Sequence, residues 1–396
     1  MTYNYSERIS SLKPSAIREI LKVTQDPSVI SFAAGNPDTA AFPVEDMQRI
    51  ANDIFANNSG NALQYGVSEG YTSLRESTAA RLREKYATGG PDDDLIIVSG
   101  GQQGMEMTTK CFVNEGDTII CETPSFIGSL NAFRSYNANL VGIPLEKDGM
   151  DLNALENALK TEKNVRFIYV IPTFQNPTGR VTSLEKRKAI YALAQKYDVM
   201  ILEDNPYFEL RYSGEYVPTI KSLDTDGRVV YVGSYSKVLS PGIRIGFVCA
   251  NKAVIQKLVV AKQVSDVHTN LFFQMIADRI LRECDIDAHI EKVRGIYRVK
   301  RDRMVEGIRA HFGDKITYEV PDGGLFLWLS LPAGYDGADL CRISGKMGVA
   351  AVPGSAFQVD ESIVSPDVRL NFSLPTFDQI DRGVELMGKA IAEYVK

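Results

Sequence analysis

The residues best suited to chemistry lie between Gly233 and Gly246. The run Gly233-Ser234-Tyr235-Ser236-Lys237 is followed seven residues later by Arg244. An apolar run over 228–232 leads into it and reads as a buried strand. A lysine just past such a strand, between hydroxyls and ahead of an arginine, places an amine in a potential anion site. A neutral amine is a nucleophile able to form Schiff bases, and burial or a neighbouring positive charge lowers its pKa toward that state. A lysine in that place can equally be an ordinary loop residue, so the other strand ends must decide.

The elements that would position Lys237 belong to an alternating pattern that starts near Asp94. Strands are expected at 95–98, 117–121, 139–143, 166–171, 199–202, 228–232 and 247–250, with helices between most of them. This spacing implies an α/β fold, a large domain whose mostly parallel seven-stranded sheet is flanked by helices. Thr182-Ser183-Leu184-Glu185 has capping-box spacing ahead of a helix. Long helices follow over 253–283 and 286–312, the second with a charged face suited to connecting domains. The C-terminal part then changes character. Strands at 316–320, 325–331, 349–352 and 368–372, a helix over 338–347 and a final helix capped at Thr376 describe a smaller α+β domain. A short helix over 15–23 and a strand over 29–34 are expected in the N-terminal segment. The expected division is 46–290 for the large domain, with 1–45 and 291–396 forming the small one.

Composition narrows the function classes. A length of 396 residues suits two domains. A net charge of −6 without a long basic run argues against nucleic acid. No apolar stretch reaches the roughly 18 residues of a membrane span, and the N-terminus shows no secretory pattern. Five scattered cysteines and three histidines lack disulfide or metal spacing. A cytoplasmic, metal-independent protein is expected.

Ligands of open α/β sheets bind at the carboxyl ends of the strands. Gly101 and Gln102 follow the first strand and open a helix, whose free amides make an anion site. Phe126 follows the second. Asn176 lies in a rigid Asn-Pro-Thr-Gly turn after the fourth, and Asp204 and Tyr207 follow the fifth. Ser234, Ser236, Lys237 and Arg244 follow the sixth. Each alone has an ordinary reading, as helix cap, turn or core residue. Together they supply a phosphate cradle, a stacking ring, a carboxylate, an amide, a phenol and an amine. A phosphorylated pyridine aldehyde needs that set, the carboxylate keeping its ring nitrogen protonated.

On these residues, and on Arg369 within Val368-Arg369-Leu370-Asn371-Phe372, the chain resembles the pyridoxal-phosphate-dependent aminotransferases of fold type I, class I/II. Leu63-Gln64-Tyr65-Gly66 and Gly100-Gly101-Gln102-Gln103-Gly104 place it nearest the branch of kynurenine/2-aminoadipate aminotransferases and the aminotransferase-like domains of MocR-type regulators. The resemblance implies pyridoxal 5'-phosphate as cofactor. It implies Lys237 as the residue that forms the internal aldimine and shuttles the proton between Cα and C4′, with Asp204 on the pyridinium nitrogen. Asn176 and Tyr207 would hold the ring oxygen. Phe126 would stack on the ring. Gly101, Gln102, Ser234, Ser236 and Arg244 would bind phosphate, and Arg369, Asn176 and Gly35 the substrate α-carboxylate. Tyr65 would reach the neighbouring subunit's site in a homodimer.

The implied reaction moves the amino group of an L-amino acid to a 2-oxo acid, 2-oxoglutarate being the expected acceptor, by a ping-pong cycle. Gly101 stands where a hydroxyl residue is common in the family, and Phe126 where tyrosine is usual. A lyase or aminocyclopropane-carboxylate-synthase-like enzyme would share every cofactor residue. A non-catalytic effector-sensing domain is the third reading. Residues 17–21 and 268–273 are candidates to line the substrate pocket.

Overall fold

The computed structural model describes residues 3–10, 12, 26–360 and 362–395. The expected helix at 15–23 and the pocket candidates 17–21 lie outside the described residues. The largest sheet has eight strands, not seven. Their order is Asp93–Val98, Gly246–Asn251, Val229–Ser234, Met200–Asp204, Val165–Val170, Thr118–Thr123, Asn139–Glu146 and Gly149–Met150. The additional strand is a two-residue edge strand antiparallel to Asn139–Glu146, too short for apolar alternation to reveal. Pairing is parallel from Val229–Ser234 through to Asn139–Glu146. Gly246–Asn251 runs against both of its neighbours.

Successive residues of each strand feed different cores. Ile96 and Val98 pack with Leu130, Phe133, Ile255 and Leu258, while Leu95 and Ile97 turn to another cluster. Leu202 joins the first group, and its neighbour Ile201 packs with Leu155 and Ile190. Helices Gly101–Phe112, Ile127–Arg134 and Lys252–Gln263 therefore cover one face, and Leu152–Thr161 and Leu184–Lys196 the other. A sheet buried on both faces explains why its strands read as near-continuous apolar runs.

The helix expected over 253–283 is two helices, Lys252–Gln263 and Leu271–Glu283. The buried Lys262 amine causes the break. It donates to Gln103, to the Asp266 carboxylate and to the Thr269 hydroxyl, folding the chain back on itself. Val267 takes a left-handed φ of 67° there, and Asn270 caps the second helix by accepting from the Phe273 amide. Ser183, rather than Thr182, caps Leu184–Lys196. The capping box at Thr376 forms as expected.

A separate four-stranded antiparallel sheet orders Thr317–Tyr318, Phe326–Ser330, Asp367–Asn371 and Val352–Pro353. The strand expected over 349–352 is divided between two sheets. Val349–Ala350 pairs in parallel with Ile30–Ser31, which ties the N-terminal segment to the C-terminal part. Helix Ile286–His311 runs on past the expected boundary at 290/291. Its Met304 and Ile308 share a core with Val384 and Met387 of the last helix, Phe377–Tyr394.

Candidate active site

Strands Thr118–Thr123, Val165–Val170, Met200–Asp204 and Val229–Ser234 point their carboxyl ends at one cavity of about 280 Å³. Gly35, Gly101, Gln102, Phe126, Asn176, Asp204, Tyr207, Ser234, Ser236, Lys237, Arg244 and Arg369 all line it. Tyr65 does not. It is 82% exposed and stands edge-on to the His268 ring at 5.9 Å.

One end of the cavity is built for an anion. Helix Gly101–Phe112 begins at Gly100, which offers its first amides no side-chain cap and so leaves them for a ligand. Gly100 has φ 80°, and a Cβ there would overlap the Arg244 guanidinium. A Cβ on Gly246 would come within 2.8 Å of the same turn. Glycine at both places lets Arg244 lie across the helix start, donating to Ser99 O at 3.1 Å and Pro241 O at 3.3 Å. Ser234 and Ser236 line the same cavity, the Ser236 amide donating to Ser234 Oγ.

Asp204 ends its strand almost fully buried. Tyr169 Oη donates to its Oδ2 at 2.9 Å. Burial pushes the carboxyl up to about 7, against the Tyr169 hydrogen bond that holds it down. A carboxylate so placed favours a cation inside the cavity. Phe126 precedes helix Ile127–Arg134 as its N-cap residue and presents a half-buried ring.

Lys237 follows strand Val229–Ser234, and its Nζ donates to Gly35 O at 2.8 Å. Burial, then the positive charges of Arg369 and Arg244, lower its pKa to about 8. A substantial fraction of the amine is therefore neutral near physiological pH. The geometry gives Gly35 a second feature, since its carbonyl faces the lysine.

Arg369 is 2% exposed on strand Asp367–Asn371. It donates to Asn176 Oδ1 at 2.9 Å and to Ala33 O at 2.7 Å. The Phe326 ring centre lies 4.1 Å from its guanidinium carbon and that of Phe357 4.8 Å. Its Nε has no hydrogen-bond partner among the described residues, and burial and the Tyr207 phenol, not a carboxylate, act on its charge. A buried guanidinium left this way calls for an anionic ligand. Tyr207, buried beside Asn176 and Arg369, has its phenol pKa raised chiefly by burial.

Sequence reasoning missed Phe326, Tyr169 and Ile171. Each sits inside an apolar strand run and reads as core; only the fold shows which of them face the cavity or its residues. Residues 268–273 lie elsewhere, His268 accepting from the Gly66 amide at 3.2 Å.

Amine, cation-seeking carboxylate, helix start and a buried guanidinium with an unpartnered Nε together fit a phosphorylated, protonated heterocycle joined by a carboxylate-bearing substrate. Comparison with known proteins agrees. The family model for aminotransferase class I and II matches residues 27–386. Aromatic-amino-acid aminotransferase 1 of Thermococcus litoralis is 39% identical over 396 residues, covering 99% of this chain and 95% of the relative. The 2-aminoadipate transaminase of Thermus thermophilus is 36% identical over 383 residues, 96% of this chain and 94% of the relative. The crystal structure of Pyrococcus horikoshii kynurenine aminotransferase, in complex with PMP, has a TM-score of 0.95 at 37% identity, covering 99% of this chain and 98% of that one. The chain belongs to the class I and II aminotransferases and is a transaminase.

Proposed function

We propose that the chain transfers amino groups from aromatic or 2-aminoadipate-type L-amino acids to a 2-oxo acid, 2-oxoglutarate among them, by a ping-pong cycle with pyridoxal 5'-phosphate. One observation carries this reading: a single cavity holds the Lys237 amine, the buried Asp204 carboxylate and the Arg369 guanidinium, whose Nε has no partner among the described residues. The names of the relatives support the donor class.

When bound, the cofactor supplies an aldehyde that condenses with amines and a protonated pyridine that takes up the electrons of a broken Cα–H bond. The chain's own residues do the rest. Lys237 would anchor the aldehyde carbon and, as a free amine, take and return the substrate proton; burial and the two arginines lower its pKa in the ligand-free chain to about 8, which suits a general base. The Gly35 carbonyl 2.8 Å away orients that amine. Asp204 would hold the proton on the ring nitrogen. Asn176 and Tyr207 would hold the ring oxygen, and Phe126 would lie against the ring. The amides of Gly101 and Gln102, with Ser234, Ser236 and Arg244, would bind phosphate. Arg369, steadied by Asn176 and two aromatic rings, receives the α-carboxylate, as its planar fork allows; Gly35 borders the same end of the cavity.

The working unit is a homodimer in which Tyr65 reaches the neighbouring subunit's phosphate. An exposed apolar patch supports this. Phe55, Leu63, Tyr65, Val67, Val264 and Val267 are each more than 45% exposed, and Phe55–Phe272 and Tyr65–His268 ring contacts join its segments. The two lobes divide at 46–290 against 1–45 and 291–396. The cytoplasm is the proposed location. Five free cysteines suit a reducing compartment, and no helix among the described residues is long and apolar enough to cross a membrane.

The test is an amino-donor panel with 2-oxoglutarate, run on the cofactor-loaded protein and on Lys237→Ala. Formation of glutamate from an aromatic or aminoadipate donor by the native protein alone is expected. Absence of glutamate with every donor would overturn the reaction, and turnover surviving in Lys237→Ala would overturn the role of the lysine.

A further inference from the structure

Asp204 has a neighbour that the reaction scheme above does not use. Tyr169 lies on strand Val165–Val170, beside Asp204's own strand, with Tyr169 paired to Leu202. It is fully buried, and its ring is held edge-on by Phe133 at 5.1 Å. Its hydroxyl oxygen stands 2.9 Å from Asp204 Oδ2 and 2.8 Å from Ser129 Oγ. Ser129 is itself fully buried, on the short helix that follows Phe126.

Proton counting gives this chain a direction. A phenol has one proton, and an ionised carboxylate has none to give. While Asp204 is charged, the Tyr169 proton points to it, and Ser129 Oγ, 2.8 Å from the same phenol oxygen, holds that oxygen in place. The Tyr169 bond is the one hydrogen bond to the Asp204 carboxylate among the described residues. Burial opposes ionisation of Tyr169, so the phenol remains a donor. Its bond occupies Oδ2 and leaves Oδ1 for the cavity.

We propose that Tyr169, oriented by Ser129, is a positioning residue that keeps Asp204 ionised and aimed at the cofactor's ring nitrogen. The same eight-residue helix has the stacking ring Phe126 at its start and Ser129 in its first turn. The plane of the ring and the orientation of the carboxylate are thus set by one element. This inference rests on the pyridoxal-phosphate reading of the cavity.

The test compares cofactor dissociation constants, measured on full-length Tyr169→Phe, Ser129→Ala and native protein by absorbance titration. Two probes are used: pyridoxal phosphate, and its analogue with C–H in place of the ring nitrogen. Tyr169→Phe should weaken the natural cofactor roughly tenfold to a hundredfold, the range for losing a hydrogen bond to a charged group. It should leave the carbon analogue unchanged, because that analogue makes no call on the Asp204 charge. Ser129→Ala should show a smaller loss of the same pattern, and the double variant no more loss than Tyr169→Phe. Equal losses with both probes, or none with either, would overturn the proposal. If Tyr169→Phe does not fold, Ser129→Ala decides by the same criterion. Failure of the native protein to bind pyridoxal phosphate at all would instead sink the cofactor reading.

Discussion

Two lysines in this molecule, Lys262 fully buried and Lys237 half-buried, have opposite settings. Lys262 is fully buried, and its amine is met by Gln103, Asp266 and Thr269 within 3.0 Å. Lys237 has a single backbone carbonyl partner and two guanidinium groups for electrostatic neighbours. Burial lowers both pKa values, but at Lys262 the Asp266 carboxylate works against that shift. The arginines repeat the contrast. Arg187, also fully buried, spends its donors on the carbonyls of Pro172, Thr182, Val217 and Pro218 and on the Thr173 hydroxyl. Arg369 keeps an Nε without a partner. Burial alone does not mark a working group; burial with its hydrogen-bonding capacity left open does.

Exchanging the members of each pair should separate chemistry from stability. Lys237→Ala should lower turnover by at least about 10³-fold, the scale for removing a nucleophile that is also the base. Arg369→Lys should lower kcat/KM for the amino donor by about 10²-fold, mainly through KM, because a point charge cannot make the bidentate contact. Arg187→Lys should leave that KM unchanged and lower the melting temperature. Steady-state kinetics and thermal unfolding on the same preparations distinguish the two arginines; a raised KM in Arg187→Lys would erase the distinction.

Stability effects of the lysines should have opposite signs. Lys262→Met strands the Asp266 carboxylate, and partial exposure of that group keeps the expected cost to about 2 kcal/mol. Lys237→Met in the cofactor-free chain should raise stability at pH 7 by about 2 kcal/mol. The sign follows from a folded pKa of about 8 against 10.5 unfolded. The penalty is full below pH 8 and fades as pH rises toward 10.5, so the gain should shrink over that window. Denaturant titration at pH 7 and pH 10 measures both, and a pH-independent gain would contradict the assignment. The smallest effect is in labelling. Reductive methylation of the cofactor-free chain should modify Lys237 with a rate that climbs through pH 8, while Lys262 stays unmodified; peptide mass spectrometry reads this directly.

Much of this contrast was legible before the fold. Asp204, Ser234 and Lys237 announce themselves because each stands where an apolar strand ends and polarity begins. Tyr169 and Phe326 do not, because their neighbours on both sides are apolar and strand direction alone decides what they face. The division of 253–283 into two helices carried no glycine or proline signal. It accompanies the contacts of Lys262 with Asp266 and Thr269 inside the break and with Gln103 on another helix, a tertiary effect, although Asn270 before an apolar run was a readable cap. The two-residue edge strand Gly149–Met150 was below the length at which periodicity has meaning. Gly35 was expected for its place beside the substrate, and its carbonyl contact with Lys237 depends on how the N-terminal segment is docked.

That docking has a consequence for biosynthesis. Ile30–Ser31 pairs with Val349–Ala350, and Arg369 donates to Ala33 O, so this early strand waits for residues translated long after it. The cavity-lining residues from Gly101 to Arg244 leave the ribosome well before Arg369 does. A nascent chain therefore completes the sheet side of the cavity before its Arg369 end. Until the C-terminal part arrives, the segment leading to Gly35 has no strand to pair with, and the cavity lacks its Arg369 end.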